Sequence, residues 1–385
     1  MKKKHIYMLS MLSMVVIAIC CKEKQQFSNE SITSLKSMAS KPQQISDMLQ
    51  SFKFIQLETT DQSLIGGHIG KIKKIVNKYF ISSDRKELLV FDSTGLFINK
   101  IGRIGQGQGE YSSISDYDVF ENGNIAILDI NKLLLYDKYG IYIKTVPLDI
   151  IGFNIKIVNE DRILLYSSGE KYVIYEINIS GKIINKKIES LQSMRLGRNI
   201  AFITYGYNKV ITQIGRSNDF VFYNFNNNEF SFSKLLSDNI LTASREEDLI
   251  KNNGLRYLNT FPDLKFIDGV AGCNTHLLFA CGSTNDGFSV QILNVDNGKV
   301  QHTISKNDIN DVTFTSPFFM EYACLSDVKD CFITYVYHDD IQAGLEEHNE
   351  FSENPNYCKF EELYKNKNEK EIQEKNPLLV EFVFY

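Results

Sequence analysis

One repeated unit constrains the fold of this chain more than any other feature of its 385 residues. Each copy contains short apolar stretches of strand length, and one of them ends in an aromatic or branched apolar residue followed by Asp or Asn. A tight turn that often contains Gly comes next, because a hairpin connection needs a side-chain acceptor and a residue with positive φ. Five copies are visible, at residues 72–101, 117–146, 155–188, 201–235 and 266–304.

The spacing of these copies predicts a β-propeller. The turn glycines Gly95, Gly140 and Gly181 lie 45 and then 41 residues apart. Repeats of about 40–50 residues with four short strands are typical of propeller blades. The fold class predicted for residues 46–385 is therefore an all-β, six-bladed β-propeller with four-stranded antiparallel blades.

The sixth blade is predicted at the C-terminus, between Val312 and Tyr385. The chain ends on the apolar stretch 378–385, which would favour aggregation if it were an exposed edge strand. We therefore expect this strand to pair within the last blade. A strand near Phe52 is expected to join the same blade, so that the N- and C-terminal strands close the ring.

Two stretches interrupt the repeat. Ser244-Arg-Glu-Glu247 is a capping-box pattern before an apolar pair and predicts a short helix between copies four and five. Residues 339–376 are rich in Lys and Glu. They predict a solvated helix or loop inside the sixth blade.

The first 21 residues predict a lipoprotein signal peptide. Lys2 to Lys4 form a basic start, and residues 6–21 are apolar and uncharged. This stretch is shorter than the roughly 20 residues that span a bilayer, so we expect it to be removed. A short membrane anchor is the alternative. The polar residues 22–45 are interpreted as a flexible tether.

The end of this segment resembles a bacterial lipobox, in which a cysteine is acylated and becomes the new N-terminus. Cys21 is the better candidate, because Ala18 and Cys20 would precede the cut. Cys20 is the alternative, although Ile19 would then occupy a position that usually holds a small residue. Acylation predicts an exported protein that is lipid-anchored in the outer membrane, and it can face the periplasm or the cell surface.

Five cysteines remain in the mature chain. Cys273 with Cys281 and Cys324 with Cys331 could face each other across hairpins, whereas Cys358 has no such neighbour. Export permits disulfides, and buried free thiols are an equally good prediction. No Cys-x-x-Cys occurs, so neither a zinc ribbon nor a thioredoxin-like site is expected.

A glycine-rich stretch, here called the glycine loop (Gly102–Tyr111), lies between copies one and two. Clustered backbone N–H groups can bind anions, but the stretch lacks the Lys-Ser/Thr of a P-loop and precedes a strand. The preferred interpretation is a tight crossover between blades. The alternative is a rim loop that contacts a ligand through Gly105, Gln106, Gly107, Gly109, Glu110 and Tyr111.

No catalytic or metal-binding motif stands out. His338-Asp339-Asp340 is the best candidate for acid–base or metal chemistry, but a strand end followed by a solvated turn is the preferred interpretation. No Gly-x-Ser-x-Gly occurs, and no histidine pair has ligand spacing. We therefore predict no catalytic residue, metal or cofactor. The net charge of −5 predicts no binding to nucleic acid.

Several short motifs resemble a known family. They are Leu57-Glu-Thr-Thr60, Leu64-Ile-Gly66, Phe91-Asp92-x-x-Gly95, Gly105-x-Gly-x-Gly-Glu-Tyr111 and Asn376-Pro377. Together they resemble the six-bladed β-propeller lipoproteins of Bacteroidota, which are similar to NHL-repeat and TolB-like propellers. Lys22-Glu23 also resembles the export tag of their surface lipoproteins. One departure is Gln108, where the family usually has Pro.

These observations lead to three hypotheses of function. The first is a monomeric, membrane-tethered propeller that acts as a scaffold for a protein or glycan ligand, without catalysis. The second is a propeller hydrolase or lyase acting on a glycan, lactone or peptide, which needs carboxylates, His or a metal at one end of the central channel. The third is a sensor or assembly partner in a nutrient-uptake complex.

Overall fold

A computed structural model of the protein describes residues 41–385, except residues 168–169, 190–201, 207, 237–239, 255–256, 262, 284–286 and 366. The predicted signal peptide, both candidate acylation sites and residues 22–40 of the predicted tether lie outside the described residues. No helix in the described part of the chain combines the length and apolar character needed to cross a membrane.

The fold is a β-propeller. Within the described residues, the strands form six sheets of three to five strands and one two-stranded ribbon. The six sheets are numbered 1 to 6 here, in the order in which their innermost strands occur in the chain. Sheets 2 to 5 are four-stranded and antiparallel, and each is built from four consecutive strands. The visible repeats therefore correspond to sheets, as the periodicity predicts.

Sheet 1 contains β2 (Ile69–Ile75), β3 (Lys78–Ser83), β4 (Glu87–Asp92) and β5 (Phe97–Lys100), and sheet 2 contains β8 (Asp116–Val119), β9 (Ile125–Asp129), β10 (Lys132–Tyr136) and β11 (Tyr142–Pro147). Sheet 3 contains β12 (Asn154–Ile157), β13 (Arg162–Tyr166), β14 (Tyr172–Asn178) and β15 (Ile183–Glu189), and sheet 4 contains β16 (Ile203–Tyr205), β17 (Lys209–Gln213), β18 (Asp219–Asn224) and β19 (Glu229–Lys234). Sheet 5 contains β20 (Phe266–Gly272), β21 (His276–Ser283), β22 (Gly287–Asn294) and β23 (Lys299–Ser305).

Burial follows the position of a strand within its sheet. All five residues of β9 are buried, whereas the residues of β5 alternate between half-buried and exposed. Strands enclosed on both faces need apolar residues at every position, while an outer strand needs them on one face only. Continuous and alternating stretches in the sequence therefore distinguish inner from outer strands.

The repeated turn glycines have a common structural reason. Gly95, Gly140 and Gly181 have φ values of 92°, 84° and 84°. A Cβ at Gly95 would overlap the carbonyl oxygen of Gln56, and one at Gly181 would lie 2.6 Å from that of Pro147. Each turn therefore lies against the end of the outer strand in the preceding sheet, and only glycine fits there.

Sheet 6 differs from the predicted four-stranded blade. It has three strands, in the order β1 (Leu49–Gln56), β26 (Leu378–Phe384), β25 (Phe332–Val336). The short β24 (Ser326–Asp327) instead pairs in parallel with β2, so that sheet 1 has five strands. The region predicted to form the sixth blade also contains a 3-10 helix, Pro317–Leu325, which begins at a Ser316 cap followed by proline.

The N-terminal and C-terminal segments contact each other through a network that we call the clasp, centred on Asn376. Its side-chain amide donates to the carbonyl oxygens of Glu58 (2.7 Å) and Ser63 (2.8 Å), and its Oδ1 accepts from the N–H of Ile65 (2.7 Å). The backbone N–H of Asn376 donates to Thr59 Oγ1 at 2.9 Å. Three of the motifs that carry the family resemblance, Leu57-Glu-Thr-Thr60, Leu64-Ile-Gly66 and Asn376-Pro377, therefore meet at the buried side chain of Asn376.

The helices lie in connections between strands. They are α1 (Ala243–Asn253), α2 (Tyr257–Thr260), α3 (His338–Glu347), α4 (Pro355–Tyr364) and α5 (Glu369–Gln373), with further 3-10 turns at Ser46–Met48 and Asn349–Phe351. The N-cap of α1 is Thr242, two residues before the predicted Ser244.

The helices α3 to α5 lie between β25 and β26, as the charged stretch predicts. They are less solvated than expected. Ile341, Phe360 and Ile372 are each at most 1% exposed and belong to the same apolar cluster as strands of sheets 5 and 6. These helices therefore complete the core beside the three-stranded sheet.

Candidate functional site

The innermost strands place polar side chains at one level of the propeller axis. Lys73 of β2, Asp118 of β8, Lys156 of β12 and Thr204 of β16 are all buried. Asp327 of β24 joins them, although it lies 254 residues from Lys73 in the sequence. We call these five residues the axial cluster. Each residue comes from a different inner strand, so the cluster exists only when the sheets are arranged around a common axis.

Asp327 is the centre of this network. Its Oδ2 accepts from Lys156 Nζ at 2.6 Å and from Lys73 Nζ at 3.0 Å. Its Oδ1 accepts from Thr204 Oγ1 at 2.6 Å, and Lys156 Nζ also donates to that hydroxyl at 2.5 Å. One carboxylate thus holds two ammonium groups and a hydroxyl.

Asp118 completes the charge balance. It accepts from Lys73 Nζ and from the backbone N–H groups of Val119 (2.9 Å) and Ile157 (2.6 Å). A further pair, Lys71 with Asp116 at 3.0 Å, lies beside the cluster. Buried charges are tolerated when they are paired and hydrogen-bonded. The two lysines and two aspartates of the axial cluster satisfy that condition.

Burial and neighbouring charges act on these groups in opposite directions. Burial tends to raise the pKa of Asp327, but Lys156 and Lys73 lower that pKa well below its ordinary value. The pKa of Asp118 is likewise lowered, because Lys73 and Lys156 outweigh the effect of burial. Both aspartates therefore remain ionised at neutral pH and are poor proton donors.

The two lysines differ from each other. Burial lowers the pKa of Lys73, but the carboxylates of Asp118 and Asp327 outweigh it and hold that pKa above its ordinary value. Burial lowers the pKa of Lys156, and the nearby ammonium of Lys73 lowers it further, so that attraction to Asp327 does not fully compensate. Lys156 is therefore the easier of the two to neutralise.

A cavity of about 660 Å³ opens above the axial cluster. Lys73, Lys156, Thr204 and Asp327 form its floor. Its walls come from turns of sheets 1, 2, 3, 4 and 6, including four asparagines: Asn77, Asn159, Asn208 and Asn226. This is the size of a small-molecule binding site, and such sites are concave with convergent polar groups.

Turns that follow the innermost strands surround the mouth of this cavity. In sheet 1 the turn is Val76-Asn77, and both residues have positive φ, 49° and 57°. Across the mouth, Lys329 and Glu121 form an exposed ion pair at 3.7 Å. On the side of sheet 5 there is no room for a side chain at Gly272, because a Cβ would lie 2.6 Å from the carbonyl oxygen of Thr204.

The glycine loop lies at the opposite end of the axis. Adjacent strands are antiparallel, so turns alternate between the two ends, and the loop connects β5 to β8 at the end away from the mouth. In agreement, Tyr111 Oη donates to the carbonyl oxygens of Lys86 (3.1 Å) and Ile101 (3.2 Å), and Lys86 lies in the turn between β3 and β4. None of the residues predicted as a ligand-contacting rim lines the cavity.

The polar groups of the glycine loop bond to one another. Residues Arg103–Ile104 (β6) and Glu110–Tyr111 (β7) form a two-stranded parallel ribbon. The Glu110 carboxylate accepts from Arg103 Nε at 2.6 Å and from the N–H of Gly107 at 2.8 Å. The Gly107 N–H and Arg103 together lower the pKa of Glu110. Gly105, Gln106 and Gly109 complete the loop around this carboxylate, and their contact with a ligand stays a prediction.

The other sequence candidates lie elsewhere. His338 is the first residue of α3 and not a strand end; it is buried, and its Nδ1 lies 2.6 Å from Tyr364 Oη. Burial lowers the pKa of His338 to about 4. Across the described residues, no group of three or more His, Cys, Asp and Glu side chains is placed to hold a metal ion.

All five cysteines of the described chain are free thiols. Cys281 pairs with Ile267 across β20 and β21, whereas Cys273 lies in the turn at the other end of β21. The two are therefore separated along one strand and do not face each other. Burial raises the pKa of Cys281 to about 12, so this thiol is inert at neutral pH.

Sequence reasoning missed the axial cluster, although a signal was present. The first strands of three repeats alternate polar and apolar residues at equivalent places, as in Lys71-Ile72-Lys73, Asp116-Tyr117-Asp118 and Asn154-Ile155-Lys156. A charge within a strand buried on both faces indicates a partner from another strand. Aligning the repeats by their innermost strands would have singled out these positions.

Comparison with solved structures identifies relatives of this fold. A Bacteroides fragilis protein described as exported aligns with a TM-score of 0.69 at 16% identity, covering 93% of this chain and 100% of its own. A Bacteroides vulgatus member of the DUF4221 family aligns with a TM-score of 0.49 at 10% identity, covering 88% of this chain and 97% of its own. At such identities the first likeness shows the fold alone.

Sequence comparison is more specific. Among proteins with curated descriptions, none matches this chain. One protein-family model, described as a domain of unknown function (DUF4934), matches residues 31–382 and so spans nearly all of the propeller. This β-propeller chain therefore belongs to the DUF4934 family.

Proposed function

We propose that this protein is a ligand-binding propeller of the cell envelope, and that the cavity above the axial cluster is its binding site. The observation that carries the proposal is the cavity of about 660 Å³ whose floor is made of buried, hydrogen-bonded polar groups from three sheets, the charged ones paired with each other. Such a floor is rigid, because each group is held by at least two others. Rigid polar groups in a concave site favour selective binding.

Binding is favoured over catalysis by the state of the carboxylates. One route to hydrolysis at this site is a carboxyl group that gives or takes a proton near neutral pH. Asp118 and Asp327 instead have lowered pKa values, and lysines or backbone N–H groups hold their oxygens. These contacts support a scaffold in which the charges shape the site.

We further propose that six blades close into a ring through the N- and C-terminal strands. The pairing of β1 with β26 over residues 49–56 and 378–384 supports this closure. So does the contact of Gly95 with Gln56, which repeats the contact of Gly181 with Pro147 between consecutive sheets. The outer strand of sheet 6 thus lies against the turn of sheet 1 in the same way as the outer strand of sheet 2 lies against the turn of sheet 3.

Location at the envelope rests on the N-terminal sequence. The apolar segment, the candidate acylation site Cys21 and the polar stretch that follows it support a lipid-anchored protein of the outer membrane. The structural relative described as exported is consistent with this location. Membrane fractionation tests it: Cys21→Ala is expected to release the protein, and release by Cys20→Ala alone would assign the other cysteine.

The binding site is tested by blocking the mouth. Asn208 is exposed and lines the cavity, so Asn208→Trp is expected to abolish binding of ligands found by saturation-transfer NMR with a metabolite, glycan and peptide library. Asn131→Trp is the matched control, because Asn131 is an exposed turn residue between β9 and β10 at the other end of the axis. Binding that survives Asn208→Trp would place the site elsewhere. Turnover of a bound compound would show that the protein is an enzyme and not a binding scaffold.

A further inference from the structure

Val76 occupies a conformation that its side chain disfavours. It has φ 49° and is 65% exposed, at the tip of the turn between β2 and β3 on the wall of the cavity. A β-branched residue in this region is strained, and Asn or Gly is the usual choice. The exposed side chain recovers little of that cost by burial in the protein, and it leaves an apolar surface open at the cavity wall, where a ligand can contact it.

The charge of the cavity limits the class of ligand. Four lysines and four acidic residues line it, so their formal charges cancel. Within the floor, Lys73 and Lys156 are balanced by Asp327 and by Asp118 directly behind it. A ligand with a net charge would disturb a balanced buried network without a counter-charge, whereas a neutral polar ligand would not.

The wall offers both donors and acceptors. The amides of Asn77, Asn159, Asn208 and Asn226 can each donate and accept. Phe225 and Val76 add apolar surface beside these amides. A pyranose ring has the matching chemistry, because its hydroxyl groups donate and accept while its C–H faces are apolar.

From these observations we infer that the cavity binds a neutral sugar unit of a glycan, with an apolar face of the ring against Val76. This inference rests on the proposed binding function of the same cavity, and it specifies the ligand class. The hydroxyl groups of the sugar would face the asparagines of the wall. The two alternative ligands of this cavity are a peptide and an acidic glycan.

The test uses the strain at Val76. Val76→Gly is expected to raise the melting temperature by about 2 °C by relieving strain, and to weaken sugar binding about fivefold by removing the apolar contact. Ile130→Gly is the matched control, because Ile130 has φ 56° and is 46% exposed in a turn outside the cavity. It is expected to stabilise the protein similarly without any change in affinity.

The probes are neutral gluco-, manno-, xylo- and N-acetylhexosamine oligosaccharides, with polygalacturonate oligomers and a pentapeptide library beside them. Isothermal titration with the purified full protein measures each affinity. Neutral oligosaccharide binding that Val76→Gly weakens and Ile130→Gly leaves unchanged would support the inference. Binding confined to peptides or to polygalacturonate, and blocked by Asn208→Trp, would overturn the sugar while leaving the binding function intact. Absence of binding by every probe would count against both.

Discussion

The two ends of the propeller axis are built on different principles. At one end, the glycine loop is a continuous stretch of ten residues whose polar groups bond to one another and to the adjacent turn. At the other end, the cavity takes its floor from residues as far apart as Lys73 and Asp327. The glycine loop is conspicuous in the sequence, but in the structure its polar groups bond mainly to one another. The cavity is inconspicuous in the sequence, but in the structure it is open to solvent.

This difference separates a structural loop from a candidate site. Glycines in the loop are required because its chain passes close to large side chains: a Cβ at Gly102 would lie 2.5 Å from Tyr136 Oη, and one at Gly109 would lie 2.9 Å from Tyr142. Gly105 and Gly107 instead leave room for the carboxylate of Glu110. The charges at the mouth have no comparable role in local backbone geometry, and their placement around a cavity favours recognition.

The largest expected effect is at the floor of the cavity. Asp327→Ala would leave two buried ammonium groups without their shared partner, so the free energy of unfolding should fall by about 3–5 kcal/mol. Urea denaturation measures it. Lys329→Ala is the control, since the exposed pair with Glu121 contributes at most about 1 kcal/mol. Equal losses in the two variants would show that the axial cluster is not a cooperative network.

The next effect concerns packing in the glycine loop. Gly102→Ala should destabilise the protein by about 1–3 kcal/mol, because the added methyl group meets Tyr136 and φ is 61°. Gly298→Ala has nearly the same φ, 64°, but no atom within 4 Å of the new methyl group. Thermal unfolding measures the loss of stability in both variants, and the excess loss in Gly102→Ala is the effect of the contact with Tyr136. Equal losses would contradict the packing explanation.

A smaller effect is expected at Tyr111. Its ring is fully buried and its hydroxyl donates to two carbonyl oxygens. Tyr111→Phe keeps the ring and removes the donor, so a loss of about 1 kcal/mol is expected in denaturant unfolding, with no change in ligand affinity. A change in affinity would connect the loop to the binding site and reduce the contrast between the two ends.

The smallest effect depends on pH. Glu110 has a lowered pKa in the folded protein, so its contacts add stability above the unfolded carboxyl pKa and lose it as pH falls through the folded value. The stability difference between the wild type and Glu110→Gln should therefore be present at pH 7 and vanish in acid. A difference that grows on acidification would have the wrong sign for this carboxylate.

Much of the fold could be predicted because its signals are local. Turn chemistry at Gly95, Gly140 and Gly181 and the apolar character of inner strands depend on neighbouring residues only. Sheet 6 was harder, because the 3-10 helix at Pro317–Leu325 is as apolar as a strand and only its Ser-Pro cap distinguishes it. The helix α1 was predicted, but its cap was displaced from Ser244 to Thr242.

The candidate site was not predicted, and the reason is geometrical. A carboxylate such as Asp327 has no partner nearby in sequence, and its partners Lys73, Lys156 and Thr204 come from three other strands. Val76 is equally inconspicuous in the sequence. The strain of its backbone is visible only from its positive φ angle in the structure.

By itself, the sequence determined the repeat, the strand-rich architecture and the glycines that the joints between sheets require. These properties follow from side-chain periodicity and backbone sterics, which act over a few residues. The tertiary structure alone decided which polar residues meet at the axis, that sheet 6 has three strands, and which end of the axis is open. Those properties depend on contacts between segments far apart in the sequence, such as Lys73 with Asp327 and β1 with β26, which only the arrangement of sheets around the axis brings together.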